Sequence, residues 1–338
     1  MKAVGYRKSL PVTDMECLLD LEIPAPTPGP GDLVVEVHAV SVNPVDTKVR
    51  KRAEPPAGEV KVLGYDAAGV VKAVGKDVSL FRPGDEVFYA GSIARPGTNS
   101  QMHAVDERIV GRKPASLTFA EAAALPLTAI TAWELLFDRF AVPRGAEEKT
   151  AGSLLVIGGA GGVGSIMIQL ARALTGLTVI ATASRPETVA WCRSLGAHHV
   201  IDHTKALGAE LKRIGIPSVD MVASLTATDK HYAGMFDIIN PQGKFGVIDD
   251  PATLDAMPLK RKSISIHWEF MFVRPVYETA DIIEQHRLLN EVSALVDAGK
   301  LRTTVGQNFG RITAANMIRA HALVESGKAM GKTVLEGF

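Results

Sequence analysis

The rhythm of apolar and polar positions changes about halfway along this chain. Up to residue 115 the apolar residues come in short runs cut by Gly, Pro and Asp, and residues 33–42, 69–74 and 85–89 have strand composition. Pro24, Pro26, Pro28 and Pro30 make an extended, turn-rich lead-in. Thr118-Phe-Ala-Glu121 has the spacing of a capping box and opens an alanine-rich helix. Pro126 interrupts that segment, and a further helix is expected over 128–137. The polar stretch 141–152 reads as a loop.

From residue 153 strands and helices alternate. Strands are expected at 154–157, 178–182, 199–201, 221–224, 244–248 and 263–267. Helices are expected at 163–175, 186–195 (stopped by Gly196), 205–214 and 229–239. Six strands with crossover helices predict an α/β fold built on a doubly wound parallel sheet, joined to a β-rich domain. Beyond about residue 270 the pattern gives a helix near 282–298, a strand-like 303–305 and a last helix near 314–325. The nucleotide sheet is complete by then, so this tail is expected to return to the β-rich domain.

One stretch carries chemistry. The apolar run 154–157 leads into Gly159-x-Gly161-x-x-Gly164, and a helix follows with Val163, Ile166, Met167, Leu170, Ala171 and Leu174 on one face. Strand, glycine turn and helix in that order form a dinucleotide-binding motif, in which Gly159, Gly161, Gly162, Val163 and Gly164 approach a pyrophosphate. The next strand leads into Ala183-Ser184-Arg185-Pro186, without the acid that would hold a ribose 2′-hydroxyl. Ser184 and the cationic fork of Arg185 suit a 2′-phosphate, which points to NADPH. The alternative is that Ser184 caps the helix opened by Pro186 and Arg185 is solvated.

With 338 residues the chain has room for two domains and a substantial core. Its 37 Lys and Arg balance 37 Asp and Glu, which argues against a general nucleic-acid binder. Two cysteines, Cys17 and Cys192, supply neither a disulfide framework nor a four-cysteine zinc lobe, and a reducing, cytoplasmic location fits. The N-terminus lacks the apolar stretch of a signal peptide, and the sequence shows no run judged long enough to span a bilayer.

Five segments taken in order carry a family resemblance over essentially the whole chain. They are Val40-Ser-Val-Asn43-Pro44-Val-Asp46, Leu63-Gly-Tyr65-Asp66-Ala-Ala-Gly69, Phe81-Arg-Pro-Gly-Asp85-Glu-Val87, Leu125-Pro-Leu-Thr-Ala-Ile-Thr131-Ala-Trp133 and the glycine turn. The chain resembles the medium-chain dehydrogenase/reductase superfamily, in particular its zinc-free quinone oxidoreductases and zinc-type alcohol dehydrogenase-like proteins. The resemblance implies a GroES-like catalytic domain over 1–126, a Rossmann NADPH domain over 127–270, a returning segment over 271–338 and a cleft between the domains. It also implies a homodimer through the edge strand at 263–267. The positions of the zinc ligands read Asn43, Tyr65 and Leu127, and the four cysteines of a structural-zinc lobe are missing near 91–112, so no zinc is expected. A divergent metal site from Asp46, Asp66 and His103 is the competing reading.

Without a Lewis acid, hydride transfer from NADPH to a quinone or α,β-unsaturated carbonyl is the chemistry the chain is expected to run, with a proton from solvent or a tyrosine. The rivals are a zinc-dependent alcohol dehydrogenase, and an NADPH-binding sensor or RNA-binding protein with little turnover. By resemblance Asn43 faces the nicotinamide and binds the acceptor oxygen or ribose; its bland reading is an Asx turn before Pro44. Tyr65 is an orienting donor or a packing residue, and Asp46 a network carboxylate or a loop cap. Thr131 contacts the nicotinamide region or bonds back to its own helix. His203 approaches the adenosine phosphate or is solvent-exposed. Leu225 and Ile248 follow strands at the cofactor edge, where backbone contacts to the nucleotide are expected, or belong to the core. Lys332 approaches the cofactor from the returning tail or is a surface lysine. Trp268, Phe270, Met271 and Phe272 form an apolar wall, a dimer contact or core.

Overall fold

A computed structural model describes residues 1–145 and 152–338; within the expected loop at 141–152, residues 146–151 lie outside the described residues. The chain divides into two compact units, Met1–Ile130 with Phe272–Phe338, and Thr131–Met271.

The first unit is organised on the eleven-residue strand Asp32–Val42, which lies within a seven-stranded sheet. It pairs antiparallel with Ala67–Val74, Met102–Asp106 and Lys332–Glu336. The tail thus places its last strand beside a strand from the first fifty residues. A separate three-stranded sheet holds Leu19–Glu22, Lys2–Tyr6 and Lys61–Val62. Leu33, Val35, Val37, Val40 and Val42 of the long strand enter the core of this unit, with Val71, Tyr89, Met317 and Leu335. The helix Phe119–Ala123 packs on the strands Asp32–Val42, Ala67–Val74 and Lys332–Glu336. Its capping box is in place, with Glu121 accepting from the Thr118 amide at 2.9 Å and Thr118 Oγ1 accepting from the Glu121 amide at 3.3 Å.

The second unit holds a six-stranded sheet in the order His199–Ile201, Thr178–Thr182, Ser153–Ile157, Val219–Ser224, Ile239–Val247, Ser265–Trp268. Every neighbouring pair is parallel. The chain runs outward from Ser153–Ile157 on one side, then crosses back to build the other. That reversal between Ser153–Ile157 and Val219–Ser224 makes the topological switch point of a doubly wound sheet.

Several elements differ from expectation. The helix expected at 229–239 is three short pieces, Thr228–His231, Tyr232–Gly234 and Met235–Ile238, entered through Ala227 at φ 53°. The strand expected at 244–248 begins at Ile239 and shifts register around Pro241 and Gly243, where Gln242 takes φ 65°. The strand expected at 303–305 is Val305–Asn308. The helix Pro126–Trp133 continues into a π-helical turn, Glu134–Arg139. Together the helical stretch Phe119–Arg139, with mean hydropathy 1.2, is long and apolar enough to cross a membrane, a match that reading for one apolar run passed over. Its most apolar window is 89% buried inside the protein, which accounts for the composition.

Candidate active site

The long strand of the first unit changes which face it shows. Leu33, Val35 and Val37 point into the core, but a register shift between Val37 and Ala39 hands that face to Val40 and Val42. Ser41 and Asn43 therefore leave from the opposite face. Val40 pairs with Ala67 and Val42 with Thr333, which brings Asp66 abreast of Ser41 and Lys332 abreast of Asn43. Four polar side chains meet at one end of three strands.

Asp66 is the hub. Its Oδ2 accepts from Ser41 Oγ at 2.7 Å, Asn43 Nδ2 at 2.8 Å and Lys332 Nζ at 3.0 Å. Its Oδ1 accepts from the Leu127 amide at 2.8 Å. Lys332 also donates to Asn43 Oδ1 and, at 3.3 Å, to the Val42 carbonyl. An ammonium carries three protons, and here each has an acceptor. Lys332 is 3% exposed, so it is not the surface lysine that its sequence neighbourhood suggested. Burying this ion pair is tolerable because the remaining lone pairs of the carboxylate are also satisfied. Asn43 is engaged at both ends of its amide, donating to Asp66 and to the Tyr65 carbonyl at 3.4 Å. Asn43 is also the N-cap of the helix Pro44–Arg52, in a capping box with Asp46, so it has a local capping role as well. The sequence offers Asp66 as a lone carboxylate or a ligand of a divergent metal site and does not point to Ser41; the pairing of Val40 with Ala67 is what joins the two.

Asp46 is the third residue of the helix Pro44–Arg52 and ties that helix to the neighbouring loop. Its Oδ2 accepts from the Asn43 amide at 2.7 Å and its Oδ1 from the Gly64 amide at 2.9 Å. Burial pushes its carboxyl up to about 7, against the pull of those two amides and of Lys332 and with a further push from Asp66. Gly64 takes φ +113°, and a Cβ there would lie 2.4 Å from Thr98 Oγ1. Tyr65 follows, 1% exposed, its ring edge-on to Phe272 at 5.4 Å. Burial, and then the Asp46 charge, hold its phenol well above the usual tyrosine range. Its hydroxyl makes no hydrogen bond among the described residues.

The second unit presents the glycine turn. Gly161 caps the helix Gly162–Leu174, with Val163 next, so the first amides of a thirteen-residue helix open at the carboxyl end of Ser153–Ile157. A Cβ on Gly164 would sit 2.4 Å from the Gly158 carbonyl oxygen, and one on Gly159 2.7 Å from Ala181 Cβ. These glycines let helix and strand approach, and the turn fits a dinucleotide pyrophosphate. Arg185, not Ser184, occupies the N-cap of Pro186–Ser194. Ser184 is exposed one residue earlier, with its hydroxyl unbonded among the described residues. Arg185 is half-buried and lies 3.4 Å from Glu187. His203 has a buried Nδ1 without a partner among the described residues, and its ring meets that of His231 at 6.2 Å. Leu225 and Ile248 are half-buried at the carboxyl ends of Val219–Ser224 and Ile239–Val247, their amides donating to Ile157 and Ser224. Thr131 is buried in Pro126–Trp133. Met271 and Phe272 are buried, whereas Trp268 and Phe270 are 55% and 47% exposed.

The residues at the expected ligand positions do not fit zinc. Leu127 has no donor atom, the Asn43 amide is engaged at both ends, and a phenol is a poor zinc ligand beside thiolate, imidazole or carboxylate. The divergent alternative meets the same obstacle. His103 donates from Nε2 to the Pro96 carbonyl at 2.9 Å and accepts at Nδ1 from Tyr89 at 3.1 Å, so both ring nitrogens are taken. Among the described residues no group of three or more His, Cys, Asp or Glu side chains is placed to hold a metal ion.

Comparison with known proteins agrees in fold. The alcohol dehydrogenase GroES-like domain profile matches residues 29–133, and the zinc-binding dehydrogenase profile matches residues 195–335. A zinc-type alcohol dehydrogenase-like protein of Staphylococcus aureus is 41% identical over 338 residues, 99% of each chain. A crystal structure from Rhizobium etli, whose name proposes a zinc-dependent alcohol dehydrogenase, superposes with TM-score 0.95 at 61% identity, covering 100% of this chain and 98% of that one. Escherichia coli quinone oxidoreductase complexed with NADPH superposes with TM-score 0.84 at 25% identity, covering 99% and 100%.

Proposed function

Because the chain belongs to the medium-chain dehydrogenase/reductase superfamily, in its quinone oxidoreductase and zinc-type alcohol dehydrogenase-like branch, we propose that it is an NADPH-dependent reductase of quinones or α,β-unsaturated carbonyls that works without zinc. The observation that carries this reading is the donor set. The positions for metal ligands hold an engaged amide, a buried phenol and an aliphatic side chain, while a lysine neutralises the neighbouring carboxylate. NADPH, when bound, supplies a hydride.

The amides of Gly161, Gly162, Val163 and Gly164 hold the pyrophosphate at the helix N-terminus, and Ser184 and Arg185 bind the 2′-phosphate. His203, Leu225, Ile248 and Thr131 complete the nucleotide contacts. Tyr65 donates its hydroxyl proton in a hydrogen bond to the acceptor oxygen as that oxygen gains negative charge. Its raised pKa keeps it protonated and a donor, so water delivers the final proton. Asn43 and Asp46 hold the loop that carries Tyr65. The exposed Trp268 and Phe270 beside the edge strand Ser265–Trp268 support a homodimer through that edge.

The test is one preparation assayed for metal content and for NADPH oxidation with 1,4-benzoquinone and an enone aldehyde. Turnover without bound zinc, insensitive to chelators, is expected. Arg185→Ala is expected to raise the KM for NADPH by about tenfold or more and to leave that for NADH little changed. Stoichiometric zinc, with alcohol oxidation lost on chelation, would overturn the reading in favour of a zinc-dependent dehydrogenase.

A further inference from the structure

We propose that Lys332 is the positioning residue of the site: its ammonium gathers Asn43, Asp66 and the Val42 carbonyl and thereby fixes the loop that aims the Tyr65 hydroxyl. The inference rests on the reductase reading for its kinetic part alone.

The geometry leaves Lys332 no other task. Its three protons go to Asp66 Oδ2, Asn43 Oδ1 and the Val42 carbonyl. None remains for a cofactor phosphate or an acceptor oxygen. The contacts pass directly to Tyr65. Asn43, held at its oxygen by Lys332, donates from Nδ2 to the Tyr65 carbonyl and to Asp66, the next residue. Asp66 in turn reaches the Leu127 amide, the second residue of Pro126–Trp133. One cation therefore joins the end of the strand Asp32–Val42, the loop at 64–66, the start of a helix and the strand Lys332–Glu336. Asp46 and Thr98 hold the other side of that loop, through the Gly64 amide at 2.9 Å and the Asp66 carbonyl at 3.1 Å. A buried point charge with three directed protons is a compact organiser for a carboxylate, an amide and a carbonyl.

The experiment uses the intact chain labelled with 3-fluorotyrosine, comparing wild type with Lys332→Met and Lys332→Arg. The Tyr65 fluorine resonance is identified by its loss in Tyr65→Phe. In Lys332→Met it is expected to shift and broaden, with kcat for the quinone falling at least tenfold and the KM for NADPH within twofold of wild type. Lys332→Arg, which keeps the charge, is expected to restore part of both. A merely structural lysine would lower Tm while leaving the resonance and kcat of the folded protein unmoved, and that result would overturn the proposal. Wild type that oxidises no NADPH with any acceptor, but whose Tyr65 resonance still answers to Lys332→Met, would sink the reductase reading and leave the positioning role standing.

Discussion

Asp46 and the buried histidines give the first unit opposite responses to pH. Burial pushes the Asp46 carboxyl up to about 7 in the fold, against about 3.9 in an unfolded chain. The folded state therefore binds its proton more tightly, and its contribution to stability falls as pH rises from about 4 to about 7. His103 and His321 are pushed down to about 4 and about 3 by burial. Below about 6.5 the unfolded chain takes up their protons first, so they remove stability as pH falls. Burial dominates the shift of Asp46, and the nearby charges oppose each other, Lys332 lowering and Asp66 raising it. Thermal melts of wild type and Asp46→Asn between pH 4 and 8 separate these effects. The difference in Tm between the two proteins is expected to change across pH 4–7 and to level off above it, while the acid limb from the histidines persists in both. A difference independent of pH would show that Asp46 does not titrate in this range.

Among the elements, two glycines report two kinds of close approach. Gly111, in Val110–Arg112, faces the helix Glu284–Asp297, and a Cβ there would lie 2.5 Å from Leu289 Cβ and 2.8 Å from a Phe88 ring carbon. Gly111→Ala is expected to destabilise by about 1–3 kcal/mol through overpacking while leaving NADPH affinity unchanged. Gly164→Ala meets the backbone of Gly158 and Gly159 instead, at 2.4 and 2.7 Å. It is expected to weaken NADPH binding by at least tenfold, measured by fluorescence titration beside the Gly111 variant. Most of the second unit was legible in the sequence because parallel strands buried on both faces read as apolar runs, and the glycine turn marks its own strand and helix. The breaks at Ala227 and Gln242 were not, since neither residue type announces a positive φ. In the first unit Asn43, Asp46 and Tyr65 were singled out, but not the way they join. That depends on a register shift at His38 and on a strand pairing across nearly the whole chain, neither of which leaves a local trace.

At the scale of the molecule, charge and surface point to different partners. The balance of 37 basic and 37 acidic residues gives no general attraction for a polyanion. The edge strand Ser265–Trp268 has pairing groups open on one side, and Trp268 and Phe270 stand exposed beside it. Light scattering on the purified protein is expected to return a mass of about twice the 36.0 kDa chain. Trp268→Glu is expected to shift it toward the single-chain value, whereas a wild type already at that value would exclude the edge as a dimer contact.

The bond between Asp66 and Lys332 spans 266 positions of sequence, and this orders events during biosynthesis. A ribosome that has made the long strand, the Tyr65 loop and the complete glycine-turn unit has still made no partner for the Asp66 charge. Throughout that interval the nascent first unit carries an uncompensated carboxylate at its centre and an unfilled edge on its principal sheet. The unit Thr131–Met271 has its own core and sheet, so its folding shortens the length of loose chain that must close. The Asp66–Lys332 centre is therefore the last part of the first unit to be completed, and a message or a protease that stops the chain before residue 332 yields a fragment that keeps the unit Thr131–Met271 but lacks that ion pair and the closing strand.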